Sequence, residues 1–562
     1  MKRKRGKTTW SSFWKEHPKL RKFSVWFVAP VLIFSFIFFL VQPHYIGNFS
    51  NGFYLDAGDG FQNVWNIWWV EESIVDRNSQ PYFTDAVSYP HGTTLVPQTM
   101  NIFNGLMAIP LMNVFGFSLV EAVNFAVVFS FVMAGVTMFW FIQKLYGKYW
   151  VSIVAGALYT FSSYHFAHGL GHLQLVSMEW IPLFLLAFWT MLEKLRYRDA
   201  FFASGALFLV LLCDYYYLMW CVFLGAMWVL WKLYKKELKL KKHTLKVLGL
   251  FGGLCLVLIG PLMYKLWSLS RGDKLLGSHN AEMFSLDPLT VFIPGGSWYW
   301  SSLTSWHWKN LPYAAEVSVY FGIGLLILVA ISLLAWKKLK PPSWMAFWWI
   351  VLCVFGILAM GPHPTSFGRT INSIPLPYAA LVHIMPSLKI SGMPVRWILI
   401  SLIAAIVIGS FVLTKININR RSGIILASIF VFVSFVDLYP FRLPLTLAKQ
   451  YDFAYVNFLK TQSKGGVIDD AAPSATIQLY NQTDHEFPMA FGYTTRMTRD
   501  VDEKNFHIFA ALAQKRYHEL CQNYKIRYVT LPPSRPLDTQ VYPIIYQDKE
   551  AIIYDMKNSP NC

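Results

Sequence analysis

The chain has 562 residues, 55% of them hydrophobic and only 14% charged, with a formal net charge of +18. So apolar a composition excludes a string of soluble domains and reads as a polytopic membrane protein. In such a chain positive charge collects in cytoplasmic loops, so the basic excess is a topology signal and nucleic acid is not a partner. Four of the six cysteines, Cys213, Cys221, Cys255 and Cys353, lie in apolar runs, no pair has metal or redox spacing, and only Cys521 and Cys562 are placed to form a disulfide.

Residues 1–22 form a basic tail expected on the cytoplasmic side, and residues 23–42 are an uncharged apolar run long enough to span. The run is too long for a signal peptide and no small-residue cleavage site follows, so it reads as an anchor. Further apolar segments at 118–143, 150–167, 172–192, 199–213, 215–232, 245–266, 316–336, 343–361, 394–414 and 422–440 bring the count to about eleven transmembrane helices. Alternation then puts five basic connectors on the side of the tail: Lys144 with Lys148, Lys194 to Arg198, Lys232 to Lys246, Lys337 to Lys340, and Lys415 to Arg421. The apolar segment 101–115, which holds Pro110, would invert every one of these loops if it crossed, so it reads as an interfacial or re-entrant helix.

The same parity places loops 43–117, 268–315 and 362–393 outside, with a tail from residue 441 to 562. In that tail Val541-Tyr-Pro-Ile-Ile-Tyr546 and Ala551-Ile-Ile-Tyr554 flank a polar turn and predict a hairpin within a small external α/β domain. It carries no phosphate loop, Gly-x-Ser-x-Gly, dinucleotide fingerprint or zinc spacing. The domain plan is thus a tail (1–22), a membrane module (23–440) and an external C-terminal domain (441–562).

The organising stretch is 54–69, where Asp56 and Asp59 follow the first span, Gly58 and Gly60 allow a tight backbone, and Asp59, Asn63 and Asn66 share one face of a helix beside Trp65 and Trp69. A polar, acid-headed helix at the lipid interface is expected. Its plainest role is an N-cap.

These features together resemble the GT-C superfamily of membrane glycosyltransferases, which includes protein O-mannosyltransferases and lipid A aminoarabinose transferases. Gly58-Asp59, Asn63-Val-Trp65, Tyr89-Pro-His-Gly-Thr-Thr-Leu95, the histidine-rich run Phe161 to Leu175, Glu179-Trp-Ile-Pro-Leu183 and Met393-Pro-Val-Arg396 resemble a bacterial branch of it, over most of residues 25 to 440. The resemblance implies a GT-C-like bundle in the cytoplasmic membrane. It also implies a polyprenyl-phosphate-linked sugar as donor and an acceptor lipid, glycan or protein outside, with a first-loop carboxylate as general base. Asp59 is the first choice for that base and Asp56 the second.

The leaving lipid phosphate needs donors or cations, for which His165, His168, His172, Lys389 and Arg396 are candidates. Snorkelling competes for Arg396, and interhelical hydrogen bonding for the histidines, which lack an evident acid partner for a metal. No cofactor motif is present and a divalent metal stays open. His91 reads either as turn chemistry or as part of the site, and Asn63 joins the substrate-binding candidates. Glu316 and Tyr320, taken as one helical turn apart, are candidates for sugar hydroxyls, and Asp214 reads as a helix-joining turn acid. Two rivals remain: a transporter or flippase of a lipid-linked saccharide, for which acids within the spans and inverted repeats would be expected, and a non-catalytic envelope-assembly protein.

Overall fold

The computed structural model describes residues 17–98, 100–272, 275–277, 279–385, 388–558 and 562; most of the basic tail, with the call on its placement, lies outside them. Every predicted span holds helix: α1 (Pro18–Val41), α4 (Leu119–Tyr146), α5 (Tyr149–Thr160), α6 (Trp180–Lys194), α7 (Tyr197–Cys213), α8 (Tyr215–Tyr234), α9 (Lys242–Gly272), α10 (Ile323–Leu334), α11 (Met345–Ala359), α12 (Ile398–Leu413) and α13 (Arg421–Asp437). The two remaining numbers belong to the first loop, α2 (Asp59–Glu71) and α3 (Ile102–Asn113). Among the described residues six helices are long and apolar enough to cross a membrane, and α3, α10 and α11 are shorter apolar helices. The chain is a mostly helical, multi-pass membrane protein.

Helix α12, Ile-Leu-Ile-Ser-Leu-Ile-Ala-Ala-Ile-Val-Ile-Gly-Ser-Phe-Val-Leu, is apolar on all sides, and all its residues are buried. A helix without a polar face belongs at the centre of a bundle, and α12 packs against α5, α10 and α11 there. Helix α9 is the opposite case. Leu256 and Val257 are more than 70% exposed, so it stands at the periphery as a lipid-facing wall.

Helix α2 is not the interfacial helix that its pattern suggested. All of its residues after Asp59 are buried, and the tryptophan face is covered by protein: Trp65 stacks on Trp69 at 5.8 Å and donates its indole N–H to Gln482 at 2.7 Å. Gln482 lies on α15 (Ala475–His485), which follows α14 (Ala454–Lys460) in the C-terminal region, and Tyr480 of the same helix stacks on Phe61. That region also holds helices Arg499–Ala513 and Tyr517–Gln522 and a four-stranded mixed sheet of β1 (Gly466–Asp469), β2 (Ile526–Leu531), β3 (Ile544–Gln547) and β4 (Ile552–Asp555), in the order β3-β4-β2-β1. β1 runs parallel to β2, and β3 and β4 form the expected hairpin. Cys521 and Cys562 are joined by a disulfide.

Two glycines bring the first loop onto the turn before α6. A Cβ on Gly171 would fall 2.7 Å from the Gly60 nitrogen and 2.8 Å from Asp56 Oδ1, so only glycine allows this approach. The contact is closed by hydrogen bonds from Asp56 N to the Leu170 carbonyl (2.8 Å) and from the Asn63 amide to the Gly171 carbonyl (2.8 Å). Gly171→Ala should therefore cost about 1–3 kcal/mol through overpacking, seen as a lower thermal unfolding midpoint in detergent; an unchanged midpoint would mean that these loops are not packed as described.

Candidate functional site

The clamp at Gly60 and Gly171 sets His172 beside Asp59. His172 Nε2 lies 2.9 Å from Asp59 Oδ2, and its Nδ1 lies 3.5 Å from Glu316 Oε1 and 3.4 Å from His168 Nδ1. Glu316 in turn accepts from both Arg396 Nη2 at 2.6 Å and Arg396 Nε at 3.3 Å. The Arg396 guanidinium sits 5.4 Å over the ring of Tyr216, whose hydroxyl receives a hydrogen bond from Arg496 Nη2 at 3.0 Å. A continuous chain of contacts thus runs from Asp59 through His172, Glu316 and Arg396 to Tyr216.

Tyr216 lines an apolar cavity of about 660 Å³ between α8 and α9, walled by Met219, Phe223, Cys255, Met263 and Trp267. That volume is within the usual range for ligand pockets, about 300–1,000 Å³. Tyr215, Tyr216, Ser270, Ser391 and Arg496 bring polar groups to an otherwise apolar wall.

The two acids of the first loop differ in environment. Asp56 Oδ1 accepts the N–H groups of Gly58 (3.0 Å) and Gly60 (2.9 Å), a turn-closing arrangement at the start of α2, and burial pushes its carboxyl up. Asp59 remains 40% exposed at its side chain, and the hydrogen bond from His172 holds its carboxyl below the ordinary range, so it stays ionised near neutral pH. Tyr493, from the C-terminal region, has its phenol pushed up by burial and by the nearby Asp59 carboxylate.

Several expected residues lie elsewhere or do other work. His165 is buried with its ring nitrogens against the carbonyls of Thr160 (2.8 Å) and Val176 (2.9 Å), so it ties helix ends together. His91 faces Asn505 at 2.9 Å. The Asn63 amide is engaged by main-chain carbonyls. Tyr320 does not follow Glu316 by one helical turn, because the helix holding Glu316 ends at Val317 and the chain is extended until Gly322; its hydroxyl binds Asp437 at 2.8 Å instead. Lys389 is exposed and forms no ion pair among the described residues. Asp214 caps α8 through the N–H groups of Tyr216 and Tyr217, as a turn acid would, and burial raises its carboxyl to about 6.

Sequence reasoning passed over Tyr216, Tyr493 and Arg496. Only the aromatic run after Asp214 hinted at the first, and no short motif marks the other two. It also found no acid partner for the histidines, whereas the fold brings Glu316 to them from far along the chain. His168, His172 and Glu316 offer ligand atoms within 4.8 Å of one another, a nitrogen and carboxylate set suited to zinc or a similar divalent ion. Burial keeps the His168 imidazole in the neutral form that a metal ligand requires.

A family model described as Domain of unknown function (DUF6311) matches residues 30–439. The chain belongs to this family. A search of curated proteins by sequence finds no match. Among solved structures, this DUF6311 protein is similar to the arabinofuranosyltransferase AftD from Mycobacteria, with a TM-score of 0.51 at 11% identity over 95% of this chain and 40% of AftD. It therefore spans about two fifths of the AftD chain. Lower scores relate it to ArnT from Cupriavidus metallidurans bound to undecaprenyl phosphate, with a TM-score of 0.42 at 11% identity over 94% of this chain and 98% of that one. The Archaeoglobus fulgidus oligosaccharyltransferase in complex with Zn and sulfate gives 0.43 at 11% identity over 94% and 73%. The chain thus shares its fold with AftD.

The Glu316–Arg396 pair is buried, with side chains 11% and 9% exposed. Removing one partner leaves an uncompensated charge in a poorly solvated place. Glu316→Gln should cost about 3–5 kcal/mol of stability, read from thermal unfolding in detergent, while the double variant Glu316→Leu/Arg396→Met should recover most of that loss. Equal stability of Glu316→Gln and the parent would show that the pair is solvated.

Proposed function

We propose that this DUF6311 protein is a membrane glycosyltransferase that moves a sugar from a polyprenyl-phosphate donor to an extracytoplasmic lipid, glycan or protein, with Asp59 as general base. The observation that carries the reading is the contact chain from Asp59 to Tyr216, which joins a partly exposed, ionised carboxylate to an apolar cavity with Arg496 in its wall. A lipid-borne sugar phosphate needs both: an apolar channel for its isoprenoid chain and positive charge for its phosphate. The GT-C fold, shared with a glycosyltransferase, supports the same reading.

The reaction is a single displacement with inversion. The acceptor hydroxyl gives its proton to Asp59, its oxygen bonds to the anomeric carbon, and the bond from that carbon to the phosphate oxygen breaks with its electron pair leaving on the lipid phosphate. A hydroxyl is a poor nucleophile near neutral pH, which is why a positioned carboxylate matters. His172 orients that carboxylate, and Glu316 holds His172 on one side and Arg396 on the other. A divalent ion bound at His168, His172 and Glu316 would add positive charge near the leaving phosphate.

The eleven-span topology, with a cytoplasmic N-terminus and an external C-terminal domain, belongs to this proposal. The Cys521–Cys562 disulfide supports the outside placement, since structural disulfides persist in oxidising compartments.

The test is mass spectrometry of envelope lipids and glycans from cells without the gene, complemented with the parent, Asp59→Asn or Asp56→Asn. A product lost on deletion should return with the parent. It should also return with Asp56→Asn, because an amide oxygen accepts the same two backbone N–H groups. Asp59→Asn keeps the shape and loses the basicity, and should slow transfer about 10²- to 10⁴-fold. Full restoration by Asp59→Asn would remove Asp59 as the base, and an unchanged envelope after deletion would sink the enzyme reading.

A further inference from the structure

Two arginines meet at Tyr216, but they are not equivalent. Arg396 spends its Nε and Nη2 on the two oxygens of Glu316, so its charge is neutralised within the protein. Arg496 donates from Nη2 to the Tyr216 hydroxyl and lines the apolar cavity, and its Nε is buried without a hydrogen-bond partner. Among the described residues no carboxylate comes within ion-pair distance of it. With no carboxylate beside it, the Arg496 guanidinium brings an uncompensated positive charge to the cavity wall, where an anionic group that enters the cavity can pair with it.

The backbone around Arg496 is fixed on both sides. Before it, Thr495 N donates to Gln98 Oε1 at 3.1 Å, and the Thr495 hydroxyl binds the same oxygen. After it, Met497 and Thr498 pair antiparallel with Leu276 and Leu275, the latter also a wall of the cavity. Gly277 follows at φ +94°, where an added Cβ would meet the Thr495 carbonyl. The C-terminal region thus lies against the cavity as a pinned strap, and Arg496 is the cation it carries there. Tyr216, which donates to the Ser391 carbonyl at 3.2 Å while accepting from Arg496, fixes the guanidinium from below.

We propose that Arg496 is the residue that holds the phosphate of the polyprenyl-phosphate lipid, so that the C-terminal region completes the donor site. This rests on the lipid-phosphate donor reading given above. The planar guanidinium presents two N–H groups to one phosphate, and the apolar cavity beside it takes the first isoprene units.

The experiment measures binding of undecaprenyl phosphate and of undecaprenol to the full-length protein in detergent, by native mass spectrometry with both lipids in competition. The parent should prefer the phosphate by about tenfold or more, the worth of hydrogen bonds to a charged group. Arg496→Gln should lose that preference and still bind undecaprenol, which also reports an intact cavity. If Arg496→Gln keeps the preference, the phosphate is held elsewhere and the proposal falls while the donor reading stands. If the parent itself shows no preference for the phosphate, the donor reading falls and the proposal with it. Should Arg496→Gln fail to fold, Arg496→Lys decides: a severalfold lower preference supports the fork, and an unchanged one overturns it.

Discussion

A charge inside a lipid-solvated bundle must be paired, and the Glu316–Arg396 ion pair is where this structure meets that requirement. Arg396 precedes α12, a helix buried along its whole length, and Glu316 comes from a short helix before α10. Joining them fixes one end of the bundle. Everything else at the site is referred to that pair: His172 approaches Glu316 from the turn before α6, Asp59 approaches His172 from the first loop, and Tyr216 takes the face of the guanidinium. An acid next to an imidazole next to an acid next to a guanidinium alternates in sign, so each member stabilises the charged form of its neighbours.

Much of the membrane module was legible because span length and hydropathy are local properties. The eleven apolar segments each hold helix, the 541–554 hairpin forms, and the two extramembrane cysteines bond. The misreadings have one cause, which is that a face was assigned without knowing what covers it. The tryptophans of α2 were taken for a lipid-facing surface, yet α15 arrives from more than 400 residues away to bury them. Glu316 and Tyr320 were placed on one helical face, yet the chain leaves the helix at Ser318 and sends Tyr320 to Asp437.

The candidate site was legible in its residue types more than in its partners. His165, His168 and His172 look alike in the sequence, and the fold divides them: His165 is consumed by two carbonyls, while His168 and His172 turn toward Glu316. The two first-loop acids divide in the same way, one closing a turn through backbone N–H groups and the other partly exposed with His172 at its side. Local spacing cannot separate such cases, because what separates them is a neighbour supplied by another part of the chain.

The C-terminal region shows the same principle on a larger scale. It contains its own sheet, and yet it is tied to the membrane module along its length: Thr476 to the Ala57 carbonyl, Met489 to the carbonyl of Ala86, and Thr495 to Gln98. Around the last of these ties, one short stretch brings Tyr493 near Asp59 and Arg496 to Tyr216. Those two targets are the opposite ends of the contact chain that crosses the site. A segment held to both ends cannot shift at one without disturbing the other, so the region acts as a wall of the site whose position is set by the same contacts that set Asp59 and Tyr216.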